Sequence, residues 1–202
     1  MIALIDYKAG NLTSVRKALA SVGASVFTPE QPADLEKAKG IIVPGVGHFE
    51  ATRVLDQTWV DAILSLVDVG RPLLGICLGM QWLYERSEEA PNLRGLGLLS
   101  GSIHRLTSDA GGTGLKVPHV GWNSLCCRSD GILVDGVPQG AQVYFTHSYA
   151  APVTADTVAS TEHGEAFASI VERGQILGVQ FHPEKSGEVG LRVLRNFLRL
   201  VG

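Results

Sequence analysis

The sequence predicts a single-domain α/β protein: a mostly parallel sheet flanked by helices, with a mixed or antiparallel β extension in the second half. Three observations support this. Short apolar runs alternate with helical patterns in the first half, which is typical of parallel sheets covered on both faces. Short β-like runs separated by turn residues fill much of the second half. The length of 202 residues suits one sizeable core, so we expect one domain over residues 1–202.

Elements of the first half are read from apolar runs, helical spacing and terminating glycine or proline residues. In chain order they are a strand over residues 2–5; a helix carrying Leu12, Val15, Leu19 and Val22 that ends at Gly23; a strand over 25–27; a strand over 40–43 that stops at Pro44; a helix carrying Trp59, Ile63, Leu66 and Val67 that ends at Gly70; and a strand over 73–76.

The second half carries shorter β-like runs, at residues 98–99, 102–103, 143–145, 157–159, 168–171 and 176–179. Turn residues separate them, including Gly111 with Gly112 and Arg173 with Gly174. A closing helix is expected from about Gly187, with Ser186 as its N-cap. Its apolar face carries Leu194, Phe197, Leu198 and Val201.

Composition indicates an ordinary globular protein, with 45 % hydrophobic and 18 % charged residues. The net charge of -3 gives no electrostatic footprint for nucleic acid, and no apolar run is long enough to cross a bilayer. The N-terminus lacks the pattern of a signal peptide. Three cysteines, of which Cys126 and Cys127 are adjacent, imply no disulfide framework. We therefore expect a reduced, cytoplasmic protein without nucleic-acid or membrane partners.

A G-x-C-x-G motif around Cys77 joins the last of the first-half strands to an amphipathic helical segment. This context predicts a nucleophile elbow in which sulfur replaces oxygen. The turn would strain the backbone of Cys77 and project its thiol, and Gly75 and Gly79 would avoid crowding. A helix N-terminus favours thiolate, and the free N–H of Leu78 can stabilise an oxyanion. Cysteine is also a common small core residue, but the strand-to-helix context favours catalysis over that alternative.

His182 is the candidate base among six histidines. Pro183 biases it toward extended geometry, so His182 and Glu184 can share one face and the carboxylate can fix the imidazole tautomer. Cys77 and His182 both follow predicted strands, and sites in parallel-sheet proteins gather at the carboxyl ends of strands. An ordinary exposed His-Pro-Glu turn is the alternative, and the presence of Cys77 argues against it.

Together these motifs resemble those of class I, triad-type glutamine amidotransferases, a family with a flavodoxin-like fold. The G-x-C-x-G-x-Q motif stands at residues 75–81 and H-P-E at 182–184. Residues 5–15, 44–47, 118–123 and 145–149 are similar to the glutaminase subunits of imidazole glycerol phosphate synthase, and the similarity covers essentially the whole chain. One departure is Lys8, where many relatives carry glycine, a residue that tolerates a positive φ.

The resemblance implies glutamine hydrolysis without a metal or cofactor. Cys77 would attack the side-chain amide, His182 would protonate the leaving ammonia and then activate water, and Glu184 would orient His182. The remaining implied roles are oxyanion binding by the backbone of Leu78 and Gly47, and binding of the amino-acid head group by Gln81, His147, Ser148 and Tyr149.

A partner follows from the chemistry, because ammonia released into neutral water is mostly protonated and no longer nucleophilic. A single core leaves no room for a synthase, so we expect the acceptor reaction on another polypeptide. The resemblance implies a (β/α)₈-barrel cyclase that forms a heterodimer, a lyase complex of histidine biosynthesis. It yields imidazole glycerol phosphate and aminoimidazole carboxamide ribotide. The candidate contact residues are Trp122, Asn123, Tyr144 and Lys185.

Two alternatives remain at this point. The chain could serve another synthase, such as one for anthranilate or pyridoxal phosphate, although residues 6–15 and 118–123 argue against that. It could also be a non-catalytic regulatory module of the same fold. Loss of the cysteine, histidine or glutamate would mark such a module, and Cys77, His182 and Glu184 are all present.

Overall fold

The computed structural model describes residues 1–107 and 116–202; the turn predicted at Gly111 and Gly112 lies outside them. The helices are α1 (Leu12–Ser21), α2 (Gln57–Asp68), α3 (Leu78–Trp82) and α4 (Gly187–Val201), with 3₁₀ turns at Pro32–Lys37, Phe49–Val54 and Pro183–Lys185. The strands are β1 (Ile2–Leu4), β2 (Val26–Phe27), β3 (Gly40–Gly45), β4 (Leu73–Cys77), β5 (Tyr84–Ser87), β6 (Leu99–Arg105), β7 (His119–Ser124), β8 (Cys126–Cys127), β9 (Gln142–His147), β10 (Tyr149–Ala150), β11 (Thr157–His163), β12 (Glu165–Arg173) and β13 (Ile176–Val179).

One large sheet organises the chain, in the order β2-β1-β3-β4-β13-β12-β11-β8. The pairs from β2 to β13 are parallel, and the pairs from β13 to β8 are antiparallel. The predicted parallel sheet with a mixed extension is therefore confirmed. Smaller sheets join β10, β6 and β5, and pair β7 with β9.

Apolar side chains of the large sheet pack on both of its faces, as the alternation of strands and helices predicts. One core cluster joins Leu4 and Ile42 to α1 and α4, through Leu19 and Phe197 among others. The other joins Ala3 and Ile5 to α2 and α3. Successive residues of β1 thus point to opposite clusters, as the pleat of a buried strand requires. None of the helices in the described ranges combines the length and apolar character needed to cross a membrane.

Strand β3 does not stop at Pro44, as the sequence led us to expect, but continues to Gly45 beside Cys77 of β4. The reason is that the N–H group which proline lacks would point toward β1 and not toward β4. The carbonyl of Ile42 accepts a bond from the N–H of Ile5, on the β1 side. Pro44 lies two residues further and faces the same side, beyond the last β1 pair at Leu4 and Ile42. The proline therefore removes no bond from the ladder to β4.

Helix α3 also differs from its prediction, because it is short and buried on every side rather than amphipathic. It lies between the large sheet and β5, so even Gln81 is only 4 % exposed. Strands β5, β7, β8 and β10 were not predicted. Strand β7 contains His119, Gly121 and Asn123, and such residues do not mark a strand by composition.

Ser186 occupies the predicted N-cap position of α4, but its side chain makes no capping bond. Its hydroxyl instead donates to the carbonyl of His182 at 2.6 Å and accepts from the backbone N–H of Tyr144 at 3.0 Å. The residue thus fastens the turn after β13 to strand β9, which fixes the position of His182.

The glycines around Cys77 permit two backbone segments to touch. A Cβ at Gly79 would lie 1.7 Å from the carbonyl oxygen of Val43 in β3, and a Cβ at Gly75 would lie 2.6 Å from the backbone of Gly79. Real carbon atoms do not approach that closely, so the start of α3 can rest on β3 and β4 only where glycine stands. The predicted crowding is confirmed.

We expect Gly79→Ala to destabilise the fold strongly, since the added methyl group meets backbone atoms that no rotamer change can move. Because the added carbon would lie only 1.7 Å from a carbonyl oxygen, the cost should reach or exceed the upper end of the about 1–3 kcal/mol typical of overpacking. Gly140→Ala is the matched control: Gly140 has a φ of +78° but nothing within 4 Å of its Cβ position, so only a backbone penalty of about 1–2 kcal/mol applies. Urea denaturation of both variants compares the costs, and a Gly79→Ala protein as stable as the control would contradict the packing argument.

Candidate active site

Cys77 ends β4 and is the N-cap of α3. Its φ of 53° and ψ of -107° make it one of two non-glycine residues with positive φ in the described ranges, the other being Lys8. A strained backbone of this kind persists only where the surroundings enforce it, and it is typical of functional sites. The elbow predicted from the glycine spacing is confirmed.

The thiol is less accessible than predicted, because Cys77 is only 4 % exposed while Cys126 is exposed. The turn points the sulfur under neighbouring loops rather than out of the sheet. Its Sγ donates to the carbonyl of Thr146 at 3.9 Å, and Nε2 of Gln180 donates to Sγ at 3.7 Å. Access to the sulfur therefore depends on the shape of the adjoining cavity.

His182 and Glu184 form a buried pair beside Cys77, as their spacing predicts. Nδ1 of His182 lies 2.8 Å from Oε1 of Glu184, and the two side chains are only 2 % and 3 % exposed. The backbone N–H of His182 donates to the carbonyl of Tyr144 at 2.9 Å, which fixes the loop. Because a carboxylate only accepts, Nδ1 carries the proton in this contact. The other ring nitrogen, Nε2, is therefore the one available for proton transfer.

The charge state of His182 reflects a balance between burial and its two acidic neighbours. Burial alone lowers the pKa of the imidazole, but Cys77 and Glu184 outweigh it and raise the pKa to about 10. The Nε2 atom is buried and makes no well-formed hydrogen bond with any of the described residues. The raised pKa therefore favours the imidazolium form of His182.

A cavity of about 250 Å³ opens beside the Cys77 sulfur. Its lining includes all the residues that the sequence assigned to the oxyanion and head group, namely Leu78, Gly47, Gln81, His147, Ser148 and Tyr149. It also includes Val46, Pro118 and Thr146, which belong to stretches that carry the family resemblance, and Glu89, which sequence reasoning missed. Glu89 gave no signal because acidic pairs such as Glu88–Glu89 are common on surfaces. Its carboxylate accepts from the N–H of Phe49 at 2.7 Å and is held at the cavity wall.

The candidate oxyanion segment packs against the N-terminal loop. The N–H of Val46 donates to the carbonyl of Ala9 at 3.2 Å, so this amide already has a partner. Gly47 has a φ of +115° and open space at its Cβ position. Lys8, at φ 64°, shapes the same loop, where its N–H and ammonium both bond the carboxylate of Asp6. The lysine thus occupies the left-handed conformation that glycine adopts more cheaply.

A second pair of histidines borders the cavity, and its hydrogen-bond directions are fixed by one carbonyl. Nδ1 of His147 lies 2.9 Å from the carbonyl of Tyr149 and must be the donor. In the neutral ring Nε2 then accepts, at 3.1 Å, from Nδ1 of His119. Nε2 of His119 in turn accepts from the amide of Asn123 at 3.2 Å. Both ring nitrogens of His147 are thus occupied inside the protein.

Both members of this pair are held neutral. Burial lowers the pKa of His119 to about 4, with a contribution from His163, whose ring stacks on it at 4.0 Å. Burial likewise lowers the pKa of His147 to about 3. No group of three or more metal-binding side chains occurs among residues 1–107 and 116–202. The pair is therefore a neutral relay of hydrogen bonds rather than a second acid–base centre.

Three of the four candidate contact residues, namely Trp122, Tyr144 and Lys185, lie together. Trp122 is 57 % exposed, and its ring meets that of Tyr144 edge to face at 6.0 Å. The ammonium of Lys185 lies 5.6 Å from the centre of the Tyr144 ring. Asn123 faces the other side of β7, toward His119. Val120, also 57 % exposed, extends the apolar face of Trp122.

Comparisons with known proteins agree with the motifs. The sequence model of the family described as Glutamine amidotransferase class-I matches residues 3–201. The chain is 47 % identical to the imidazole glycerol phosphate synthase subunit HisH of Halalkalibacterium halodurans, over 100 % of this chain and 96 % of that protein. It is 46 % identical to the protein of the same name from Moorella thermoacetica, over 99 % and 95 %.

Solved structures share the fold at lower sequence identity. A structure described as a glutamine amidotransferase superposes with a TM-score of 0.76 at 20 % identity, covering 100 % of both chains. A chain of the PurLQS structure from Thermotoga maritima gives a TM-score of 0.74 at 19 % identity, covering 100 % of this chain and 98 % of that one. These two similarities concern the fold alone.

The neutral histidine pair predicts a specific pH dependence of stability. A pKa lowered from 6.5 to about 4 means that native His119 binds fewer protons than the unfolded chain below about pH 6.5, so stability falls as the pH drops toward 4. The stability lost in His119→Phe should therefore shrink between pH 7 and pH 5, by on the order of 1 kcal/mol.

Urea titrations at both pH values measure this difference. His48→Gln is the control, because His48 lies on the surface. A His119→Phe penalty that is equal at pH 7 and pH 5 would refute the neutral state of His119.

Proposed function

Because the chain belongs to the class I glutamine amidotransferases and is the glutaminase subunit of an imidazole glycerol phosphate synthase, we propose that Cys77, His182 and Glu184 form its catalytic triad. The observation that carries the proposal is the convergence of a strained Cys77 with the buried His182–Glu184 pair at the ends of adjacent strands. The relatives, at 43–48 % identity, favour this synthase over the other synthases considered above.

The reaction follows from the charges of the triad. The Cys77 thiolate attacks the side-chain amide carbon of glutamine and forms a tetrahedral oxyanion. Nε2 of His182 gives its proton to the departing nitrogen, which leaves as ammonia, and a glutamyl thioester remains. His182 then takes a proton from water, whose oxygen attacks the thioester. Glutamate is released, and Cys77 again faces an imidazolium oriented by Glu184.

The oxyanion is held by backbone N–H groups, of which Leu78 supplies the first. Its amide is at the start of α3, where no carbonyl of the helix can accept from it. We assign the second to Gly47, because the neighbouring amide of Val46 is bonded to Ala9. Two donors aimed at one point are worth more in this partly enclosed cavity than in water.

The amino-acid head group of glutamine fits the opposite wall. The carboxylate of Glu89 would accept from the α-ammonium group, and the hydroxyl of Ser148 would donate to the α-carboxylate. Gln81 and Tyr149 hold this wall together through a bond of 2.8 Å from Nε2 to the carbonyl. His147 contributes as a buried part of the wall, because its ring nitrogens are already engaged.

The partner is a cyclase subunit, which receives the ammonia and makes imidazole glycerol phosphate and aminoimidazole carboxamide ribotide. We assign it a (β/α)₈-barrel fold and place it on the face of Trp122, Tyr144 and Lys185, with Asn123 on the opposite side of β7. Exposed aromatic and aliphatic side chains next to a polar rim are typical of protein interfaces. In this assignment residues 1–202 act as one glutaminase domain in the cytoplasm, without metal, cofactor or nucleic acid.

Cys77→Ser should abolish glutamine-dependent synthesis by the complex and spare synthesis from added ammonia, since only the ammonia source is lost.

His182→Ala should remove nearly all glutamine turnover, and Glu184→Gln should retain more, because the orienting carboxylate does not transfer the proton. Glutamate release and product formation are measured with each nitrogen source. Cys126→Ser is the control, and an active His182→Ala enzyme would disprove the triad.

Gly47 provides a test of whether the cyclase partner controls the rate of glutamine hydrolysis. We expect the isolated chain to be nearly silent on glutamine and the cyclase complex with its nucleotide ligand to be active, through rotation of the Val46–Gly47 peptide. Such a rotation of about 180° would carry the φ of Gly47 from +115° to about -65°, which any residue adopts. Gly47→Ala should therefore favour the rotated state and raise the rate of the isolated chain about tenfold.

The control for this test is Gly70→Ala, which carries a similar backbone penalty at φ 84° at the end of α2. Its glutaminase rate should be unchanged. A lower rate for Gly47→Ala in the isolated chain would mean that φ +115° is already the active conformation.

A further inference from the structure

Gln180 is a polar side chain that the triad chemistry leaves unused. It is fully buried, at 0 % exposure, in the segment between β13 and His182. Its backbone N–H donates to the carbonyl of Ser169 at 2.9 Å, which fixes the main chain. Its carboxamide lies between Gln81 and the Cys77 sulfur. A buried amide in that position must have an explanation, since burying it without partners is costly.

The orientation of this carboxamide is determined by the carbonyl of Tyr149. That oxygen only accepts, so the atom of Gln81 at 2.8 Å from it is the NH₂ group. The same NH₂ group lies 3.1 Å from the Gln180 carboxamide and must meet its oxygen. The NH₂ group of Gln180 is therefore the end that faces the sulfur, at 3.7 Å. Gln81 thus positions Gln180.

We propose that Gln180 is a further catalytic residue of this glutaminase, whose carboxamide N–H donates to the Cys77 sulfur and stabilises it as a thiolate. The inference rests on the proposed role of Cys77 as the nucleophile. A hydrogen bond to an ionised partner is about twice as strong as one between neutral groups, so the donor favours the charged sulfur over the thiol.

Other groups at the sulfur make this donor important. The carbonyl of Thr146 accepts from the thiol at 3.9 Å and repels a thiolate. His182 attracts the thiolate, and the buried phenol of Tyr7 also lies within electrostatic reach. Among these groups Gln180 is a neutral donor that does not titrate. It therefore acts on the sulfur both when the thiolate attacks and when it leaves the thioester.

The test uses the complex with the cyclase and its nucleotide ligand. Gln180→Met keeps the length of the side chain and removes the donor. We expect kcat/KM for glutamine to fall about tenfold through kcat, with KM and ammonia-dependent synthesis unchanged. The rate of Cys77 labelling by a chloroketone analogue of glutamine should rise with pH at a midpoint about one unit higher than in the unsubstituted protein. Ser169→Ala, which alters a buried hydroxyl of the adjacent strand, is the control for packing.

Gln180→Met with an unchanged kcat and labelling profile would overturn the inference. If the variant does not fold, the side-chain amide signals of Gln180 in the unsubstituted protein are compared by NMR with those of Cys77→Ala. A shift of these signals supports the bond to sulfur, and identical signals overturn it. Cys77→Ser separates the two proposals. If this variant still hydrolyses glutamine, the proposed triad is wrong. If it is inactive while Gln180→Met is fully active, only the role of Gln180 is refuted.

Discussion

The parallel pairing of β4 with β13 is the constraint on which the site depends. Its register sets Val179 beside Ile76, so the residues that follow each strand emerge side by side at one edge of the sheet. Cys77 leaves β4 through a strained turn, and the chain after β13 reaches Gln180 and His182 within a few residues. A slip of one residue would turn every side chain of β13 to the opposite face and separate the sulfur from the imidazole.

Apart from the carboxylate of Glu89, the side chains that line the cavity beside the triad are neutral. The ion pair of His182 with its acidic neighbours lies against a wall of amides, carbonyls and neutral imidazoles. A second cation next to His182 would compete for the thiolate, and the lowered pKa values of His119 and His147 prevent this near neutral pH. Burial lowers the pKa of all three histidines, and only at His182 do acidic neighbours outweigh this effect.

The sequence predicts those parts of this site whose geometry depends on residues close together in the chain. The elbow at Cys77, the His182–Glu184 pair and the order of alternating strands and helices follow from residue spacing, and the structure has them in those places. The burial of the thiol did not follow, because it depends on loops far away in the chain. Glu89 and Gln180 could not be predicted for the same reason. The partner of Glu89 is Phe49, 40 residues away, and the partner of Gln180 is Cys77, 103 residues away.

Tyr144 belongs to two parts of the molecule at once. Its ring stands at the exposed edge with Trp122 and Lys185, while its backbone carbonyl and N–H both bond the turn that carries His182, at 2.9 Å and 3.0 Å. A displacement of this strand therefore reaches the base, and it also reaches Thr146 and His147, which belong to the same strand and line the glutamine cavity. A small molecule wedged under the Tyr144 ring would therefore inhibit from outside the cavity, by moving the base and part of the cavity wall together.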